Sequence, residues 1–222
     1  MKKFSVQVAT KNHYSYVAEI CAFIESSAKQ RGTGIAKRSP DYIRTKMIES
    51  KAIIALAGDG ELVGFCYIES WSNKQYAANS GLIVNPDYRG LGVGAKIKKV
   101  AFEHSKKMFP NAKLFGLTTS LPVMKINSDL GYTPVTYDNL TQDEAFWNGC
   151  QSCVNYKVLM SKERKNCLCT AMLYDPERTA SKRWNFLKKS KLYTRYMEIK
   201  KSRMLKKKKG EKSLTLLLNL LG

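Results

Sequence analysis

The stretch Val84-Asn85-Pro86-Asp87-Tyr88-Arg89-Gly90-Leu91-Gly92-Val93-Gly94-Ala95 places an RGxGxG loop between an apolar strand and an amphipathic helix. Gly90, Gly92 and Gly94 let the backbone approach an anion without Cβ interference, and the first N–H groups of the following helix have no partner within it. Ser80-Gly81-Leu82-Ile83-Val84 reads as strand before the loop, and Ala95 to Phe109 carries apolar residues at helical spacing after it. These flanks separate an anion cradle from a glycine loop that only turns the chain. Lys96 falls outside GxxxxGK[ST] spacing and no acidic ribose partner stands at a convincing distance, so neither common nucleotide fingerprint fits.

Working outward, Phe4 to Ala9 alternates like a strand and Tyr14 to Gln30 has the apolar spacing of a helix. Ser39 precedes Pro40 and a helical stretch to Ser50, with Ser39 as N-cap and Pro40 at the first helical position. Ala52 to Ala57 and Leu62 to Trp71 read as strands joined by the hairpin turn Gly58-Asp59-Gly60-Glu61, and Tyr76 to Val84 follows as a third. Beyond the glycine loop and its helix come a break at Pro110-Asn111, a strand from Lys113 to Ser120, a short helix from Leu121 to Asp129 and a strand from Tyr132 to Tyr137. Three consecutive strands at 52 to 84 predict an α/β (α+β) domain on a mixed, largely antiparallel sheet flanked by helices, not a doubly wound one.

The chain has 222 residues, 44% hydrophobic, enough to bury one ordinary core with an extension beyond it. The reading divides it into a domain over 1–160 and a Cys-containing, then basic helical C-terminal extension over 161–222. No basic start leads into a long apolar stretch and nowhere do about 18 apolar residues run together, so the cytoplasm is the expected compartment.

The pattern RxxGxG at Arg89, Gly92 and Gly94 resembles the acetyl-CoA loop of the GNAT (Gcn5-related) N-acetyltransferases, and the element order over about residues 4 to 140 resembles that fold. The resemblance implies an acyl-CoA co-substrate bound by the backbone of Val84, Arg89, Gly90, Leu91, Gly92, Val93, Gly94 and Ala95. Val84 is included because in the family the preceding strand pairs with the pantetheine arm. The segment Ser120 to Tyr132 resembles the family's second motif, NxxAxxLYxxxGF, when Gly131-Tyr132 is aligned with its terminal GF. Ser120 then replaces the common asparagine, and Asn127 replaces the tyrosine proposed to protonate the thiolate. An amide can bind sulfur or CoA but cannot act as a general acid, so Tyr132 or a water is expected to substitute. Asn127 reads equally as a solvent-facing residue of a short helix.

Acyl transfer to an amine needs a thioester near an unprotonated nucleophile, oxyanion donors and a proton acceptor. Glu69, within Tyr67-Ile68-Glu69-Ser70-Trp71, is the nearest carboxylate, and strand alternation can point it into the central cleft as a base; it reads also as a solvated surface residue at a strand end, and His13 and His104 are weaker candidates. Between the first two helices, Arg31, Lys37 and Arg38 flank a GxG turn and suit an anionic acceptor, since a guanidinium grips a carboxylate through two parallel hydrogen bonds. A flexible basic loop without a ligand reads as well. This loop, Phe65 to Trp71, Ala78 to Val84 and Val123 to Asn127 together look like a bacterial N-acylglutamate synthase-like subgroup of arginine biosynthesis, which implies acylation of the α-amine of glutamate.

Cys150, Cys153, Cys167 and Cys169 form a CxxC and a CxC. Four thiolates at this spacing suit a structural zinc site, and they read also as reduced buried thiols or a redox pair. Cys21 and Cys66 fall on apolar segments and are expected in the core. The net charge is +20, and residues 161 to 212 hold 18 Lys or Arg against 5 Asp or Glu. Trp184, Phe186, Leu187, Leu192, Tyr193, Tyr196 and Ile199 among lysines read as an amphipathic basic helix, either solvated and packed on the domain or contacting nucleic acid, ribosome or anionic membrane. Two further readings of the whole chain therefore stand beside glutamate acylation: a protein or ribosomal N-acetyltransferase docking through the tail, and a non-catalytic CoA- or RNA-binding domain.

Overall fold

A computed structural model describes residues 3–32 and 37–178 of the chain. The basic stretch beyond 178, the apolar run 214–221 and residues 33–36 of the expected acceptor loop lie outside the described residues. The chain divides into two compact units, residues 1–176 and 177–222, and all the described strands belong to the first.

Among the described residues seven strands form one sheet: β1 (Phe4–Val8), β2 (Ala52–Ala57), β3 (Leu62–Trp71), β4 (Tyr76–Val84), β5 (Lys113–Thr118), β6 (Thr133–Val135) and β7 (Thr170–Tyr174), in the spatial order β1-β2-β3-β4-β5-β7-β6. Only β4 and β5 pair in parallel; every other neighbouring pair is antiparallel. The expected mixed, largely antiparallel sheet is what the chain forms. β7 fills the slot between β5 and β6, and the first unit runs to Pro176.

One sheet face carries α1 (Val17–Arg31) and α2 (Pro40–Ile48), which bury Ile20, Ile24, Ile43 and Met47 against Phe65 and Tyr67. Ser39 Oγ accepts from Tyr42 N at 3.2 Å, and Pro40 starts α2 as its missing N–H permits. The other face carries α3 (Val93–Met108), whose Val93, Ile97 and Ala101 pack on Ile53, Val63 and Cys66. Alternation in β3 therefore sends Phe65, Tyr67 and Glu69 toward α1 and α2 and Cys66 and Ile68 toward α3. A short α4 (Leu121–Asp129) precedes β6; α5 (Glu144–Asn148) and α6 (Tyr156–Ser161) cover Phe115 and Leu173 through Trp147 and Leu159.

Lys98 departs from this apolar plan. It lies on the sheet-facing side of α3, 2% exposed, with Nζ 5.7 Å from the Tyr132 ring centroid. Burial holds its pKa below the ordinary lysine value, opposed by the neighbouring Cys66. The folded state then binds fewer protons than the unfolded chain between that lowered pKa and the ordinary one, so stability rises with pH through this window. Lys98→Met is expected to stabilise the fold at pH 7 by about 1 kcal/mol or more, roughly 2–4 °C in Tm. The gap should narrow as the pH is raised toward the ordinary lysine pKa; thermal melts at pH 7 and pH 10 with a constant gap would contradict this account.

Candidate active site

The cleft originates in the divergence of two parallel strands. β4 and β5 pair only over Tyr76–Ala78 and Lys113–Phe115, after which β4 continues to Val84 with no ladder partner on its β5 side among the described residues. On its other side β4 pairs with β3, where the register shifts between Phe65 and Tyr67. Gly81, at φ +65°, sits in this bulge. The stretch Asn79–Val84 thus presents backbone groups toward an open slot and runs directly into the glycine loop.

That loop is anchored from below. Asn85 Nδ2 donates to Glu61 Oε1 at 2.9 Å and the Tyr88 hydroxyl to Glu61 Oε2 at 2.8 Å; the hydrogen bond to this carboxylate pushes the Tyr88 pKa up to about 12. Gly90 and Gly92 hold φ values of +78° and +81°, which side chains with Cβ rarely adopt. Gly94 differs. It lies inside α3, and a Cβ there would meet Val84 Cγ2 only at 3.6 Å, so its lack of a side chain matters for what approaches the helix and not for the backbone. Because Gly92 caps α3 without a side chain, the amides of Val93, Gly94 and Ala95 form the uncapped first turn, a site suited to phosphate. The helix begins at Val93, two residues before the expected Ala95.

Arg31, at the end of α1, stands in electrostatic reach of Arg89; its pKa is lowered first by desolvation and then by that neighbouring charge. Arg38 belongs to a separate cluster on the α1/α2 face. Its Nε donates to the Tyr67 hydroxyl at 3.0 Å and its Nη1 to the Lys37 carbonyl at 3.0 Å, while the guanidinium carbon lies 5.1 Å from the Tyr42 ring centroid. Tyr42 in turn donates to Glu69, and Lys46 Nζ lies 3.4 Å from the same carboxylate oxygen. Glu69, expected as a base, is thus occupied by a hydroxyl and an ammonium. Its position opposite Ala78 puts it beside the closed end of the β4/β5 slot.

The two residues expected around the leaving thiolate are both buried. Asn127 is 1% exposed, which excludes the solvent-facing alternative; its Nδ2 lies 3.8 Å from Met172 Sδ, and its Oδ1 has no hydrogen-bond partner. Tyr132 is 2% exposed in the core with Phe102, Phe109 and Met172, and its hydroxyl donates to Asn79 Oδ1 at 3.4 Å. Burial, then Cys66 and Tyr174, raise its pKa, so its proton is held. Asn79 Nδ2 continues the chain to Ser105 Oγ at 2.8 Å. Tyr132 consequently supports β4 from the α3 side. His13 Nδ1 accepts from Thr10 N at 3.0 Å in a surface cap, and His104 Nε2 lies 2.7 Å from the Ser50 carbonyl, so both histidines tie chain segments together.

The four clustered cysteines line one small cavity of about 30 Å³, away from this slot. Burial and the neighbouring thiols push Cys150 up to about 11 and Cys169 up to about 12, so both are neutral thiols. Among the described residues no group of three or more His, Cys, Asp or Glu is already disposed to hold a metal, so the zinc centre expected from sequence is not preformed. Cys66 is in the core as expected, and Cys21 is partly buried against it. No local motif marks Glu61, Tyr42, Tyr67 or Asn79 as site residues, although the period-two alternation that ends at Glu69 puts Tyr67 on the same face.

Residues 22–122 match the model of the acetyltransferase (GNAT) family. No curated protein matches the chain by sequence. Among solved structures, N-acetylglutamate synthase from Neisseria gonorrhoeae, complexed with coenzyme A and N-acetyl-glutamate, is similar with a TM-score of 0.55 at 18% identity. That match covers 79% of this chain, which spans about a third (35%) of the neisserial enzyme. Rv2747 from Mycobacterium tuberculosis, in complex with CoA, has a TM-score of 0.55 at 18% identity over 77% of this chain and 98% of its own. The acetyltransferase yncA from Salmonella typhimurium with acetyl-CoA has a TM-score of 0.53 at 11% identity, covering 78% and 94%. No helix among the described residues is long and apolar enough to cross a membrane.

Proposed function

From the match of residues 22–122 to the acetyltransferase (GNAT) family model, we propose that this chain transfers an acetyl or other short acyl group from acyl-CoA to the α-amine of glutamate. The observation that carries the donor half is the continuity of the open β4 edge with the uncapped first turn of α3. Backbone groups of Asn79–Val84 suit the amides of a pantetheine arm, and the N–H groups of Val93, Gly94 and Ala95 suit its pyrophosphate. We assign Arg31 with Arg89 to the donor's phosphates, since two guanidiniums that repel one another are both relieved by the same anion. Neighbours solved with CoA or acetyl-CoA support this half.

The acceptor half rests on Arg38. Its guanidinium is fixed by Tyr67 and Tyr42 on the face that α1 and α2 share, and with Lys37 it suits a molecule bearing two carboxylates. The neisserial neighbour's N-acetyl-glutamate complex agrees with this choice. In the reaction the amine attacks the thioester carbonyl, its nitrogen loses a proton, the C–S bond breaks and CoA leaves as a thiolate that takes up a proton. Asn127 has no acidic proton to give and Tyr132 is sealed in the core, so solvent supplies the proton to the thiolate. Glu69, with its proton-bearing neighbours Tyr42 and Lys46, is the carboxylate on the acceptor face through which the amine's proton leaves by way of water.

The test is release of free CoA by the purified full chain given acetyl-CoA and each of glutamate, aspartate, glutamine, lysine and a lysine-containing peptide. Release that depends on glutamate is the expected result. Preference for the peptide would move the acceptor to protein amines, and no release with any acceptor or any short acyl-CoA would overturn the enzymatic reading.

A further inference from the structure

The cavity that gathers the four thiols also contains an unsatisfied donor. Cys150, Cys153, Cys167 and Cys169 line it together with Asn155 and with Leu117 of β5. All four are free thiols. Asn155 is 8% exposed, and its Nδ2 has no hydrogen-bond partner. A buried N–H without an acceptor is costly, so such a group marks a missing partner.

The surrounding backbone holds the cysteines where they are. Cys153 N donates to the Cys150 carbonyl at 2.9 Å, closing the CxxC turn. The Tyr137 hydroxyl donates to the Cys169 carbonyl at 2.8 Å, and Asn166 Oδ1 accepts from Cys167 N at 2.8 Å, fixing the CxC ahead of β7. One turn and one strand entry thus deliver two sulfurs each to a common space. A metal-bound sulfur is an acceptor of the kind that Asn155 Nδ2 lacks.

We propose that Cys150, Cys153, Cys167 and Cys169 bind one zinc-class divalent cation as thiolates, with Asn155 Nδ2 donating to a coordinated sulfur. Four S–H protons go to solvent and four sulfur–metal bonds form, with no change of oxidation state. The resulting charge of −2 is offset by a basic surround: Arg164 lies in electrostatic reach of Cys150, and Lys157, Lys162 and Lys165 belong to the same segment. The ion would fasten the turn that follows α5 to the chain entering β7. Its role is structural, since all four positions are filled by protein.

The experiment uses the full chain purified under reducing conditions. Elemental analysis is expected to give one zinc per chain, released by a mercurial thiol reagent as four thiols are titrated. Replacement by cobalt should give the sulfur-to-cobalt charge-transfer absorption of a tetrahedral thiolate site, lost in Cys169→Ser. Because a cysteine variant also disturbs packing, Asn155→Ala serves as the second variant. It keeps all four ligands and is expected to bind one zinc yet surrender it to a competing chelator about tenfold more readily. A chain with four reduced thiols that takes up no stoichiometric zinc or cobalt overturns the proposal, as does a Cys150–Cys153 or Cys167–Cys169 disulfide in the protein as purified. Asn155→Ala with unchanged zinc retention removes Asn155 from the site.

Discussion

Gly81→Ala is expected to destabilise the fold by roughly 2–5 kcal/mol, combining about 1–2 for a side chain held in the left-handed region with about 1–3 for overpacking. The backbone at Gly81 has φ +65°, and a Cβ there would lie 2.2 Å from Tyr67 Cε1 and 2.8 Å from its Cδ1. Tyr67 has nowhere to retreat. It is 1% exposed, its ring packs edge-on against Tyr42 at 5.6 Å, and its hydroxyl accepts from Arg38. Either the bulge in β4 flattens, shifting the strand that feeds the glycine loop, or the Tyr67 ring leaves Arg38. Chemical denaturation measures the effect, with Gly149→Ala as control: Gly149 has φ −61° and nothing within 4 Å of its added Cβ. The control should change stability by less than about 1 kcal/mol in either direction. A loss below about 1 kcal/mol at Gly81 would mean that the bulge is softer than its contacts indicate.

The bulge also marks how far the sequence could be read. Strands β1 to β5 were legible because each is a short apolar or alternating run bounded by a cap or turn, as with Gly58 to Glu61 or Ser39-Pro40. The slot between β5 and β6 was not. β7 follows a long segment of short helices and turns and finds its place only by long-range pairing with Leu114–Thr118 on one side and Thr133–Val135 on the other, which no local pattern encodes. The same limit applies to the site. The glycine loop is a local motif and its backbone conformation follows from its own residues. Arg38 was legible as a cation in a loop, but its holders, Tyr42 on α2 and Tyr67 on β3, come from elements 29 residues apart in the longer pairing. Arg31 shows the converse: grouped with Lys37 and Arg38 by sequence, it is carried by the end of α1 into reach of Arg89.

Arg38→Gln separates the acceptor site from the donor site in the proposed reaction. A hydrogen-bonded ion pair between a guanidinium and a carboxylate contributes about 1.5–3 kcal/mol, so the KM for glutamate is expected to rise roughly 10- to 150-fold. The KM for acetyl-CoA should stay within about twofold, because Arg38 lies on the α1/α2 face and the donor loop is anchored independently by Glu61 through Asn85 and Tyr88. Arg38→Lys should recover little of the loss, since lysine keeps the charge but lacks the planar fork that Tyr67 and Tyr42 hold in place. Tyr67→Phe keeps the ring and loses only the acceptor for Arg38 Nε, so a rise of roughly tenfold or less in the same constant is expected, in the range of one ordinary hydrogen bond. Steady-state kinetics with each substrate varied in turn reads all three. An equal rise in both constants would place Arg38 in the general stability of the domain, and an unchanged glutamate KM would move the acceptor's carboxylates to other cations.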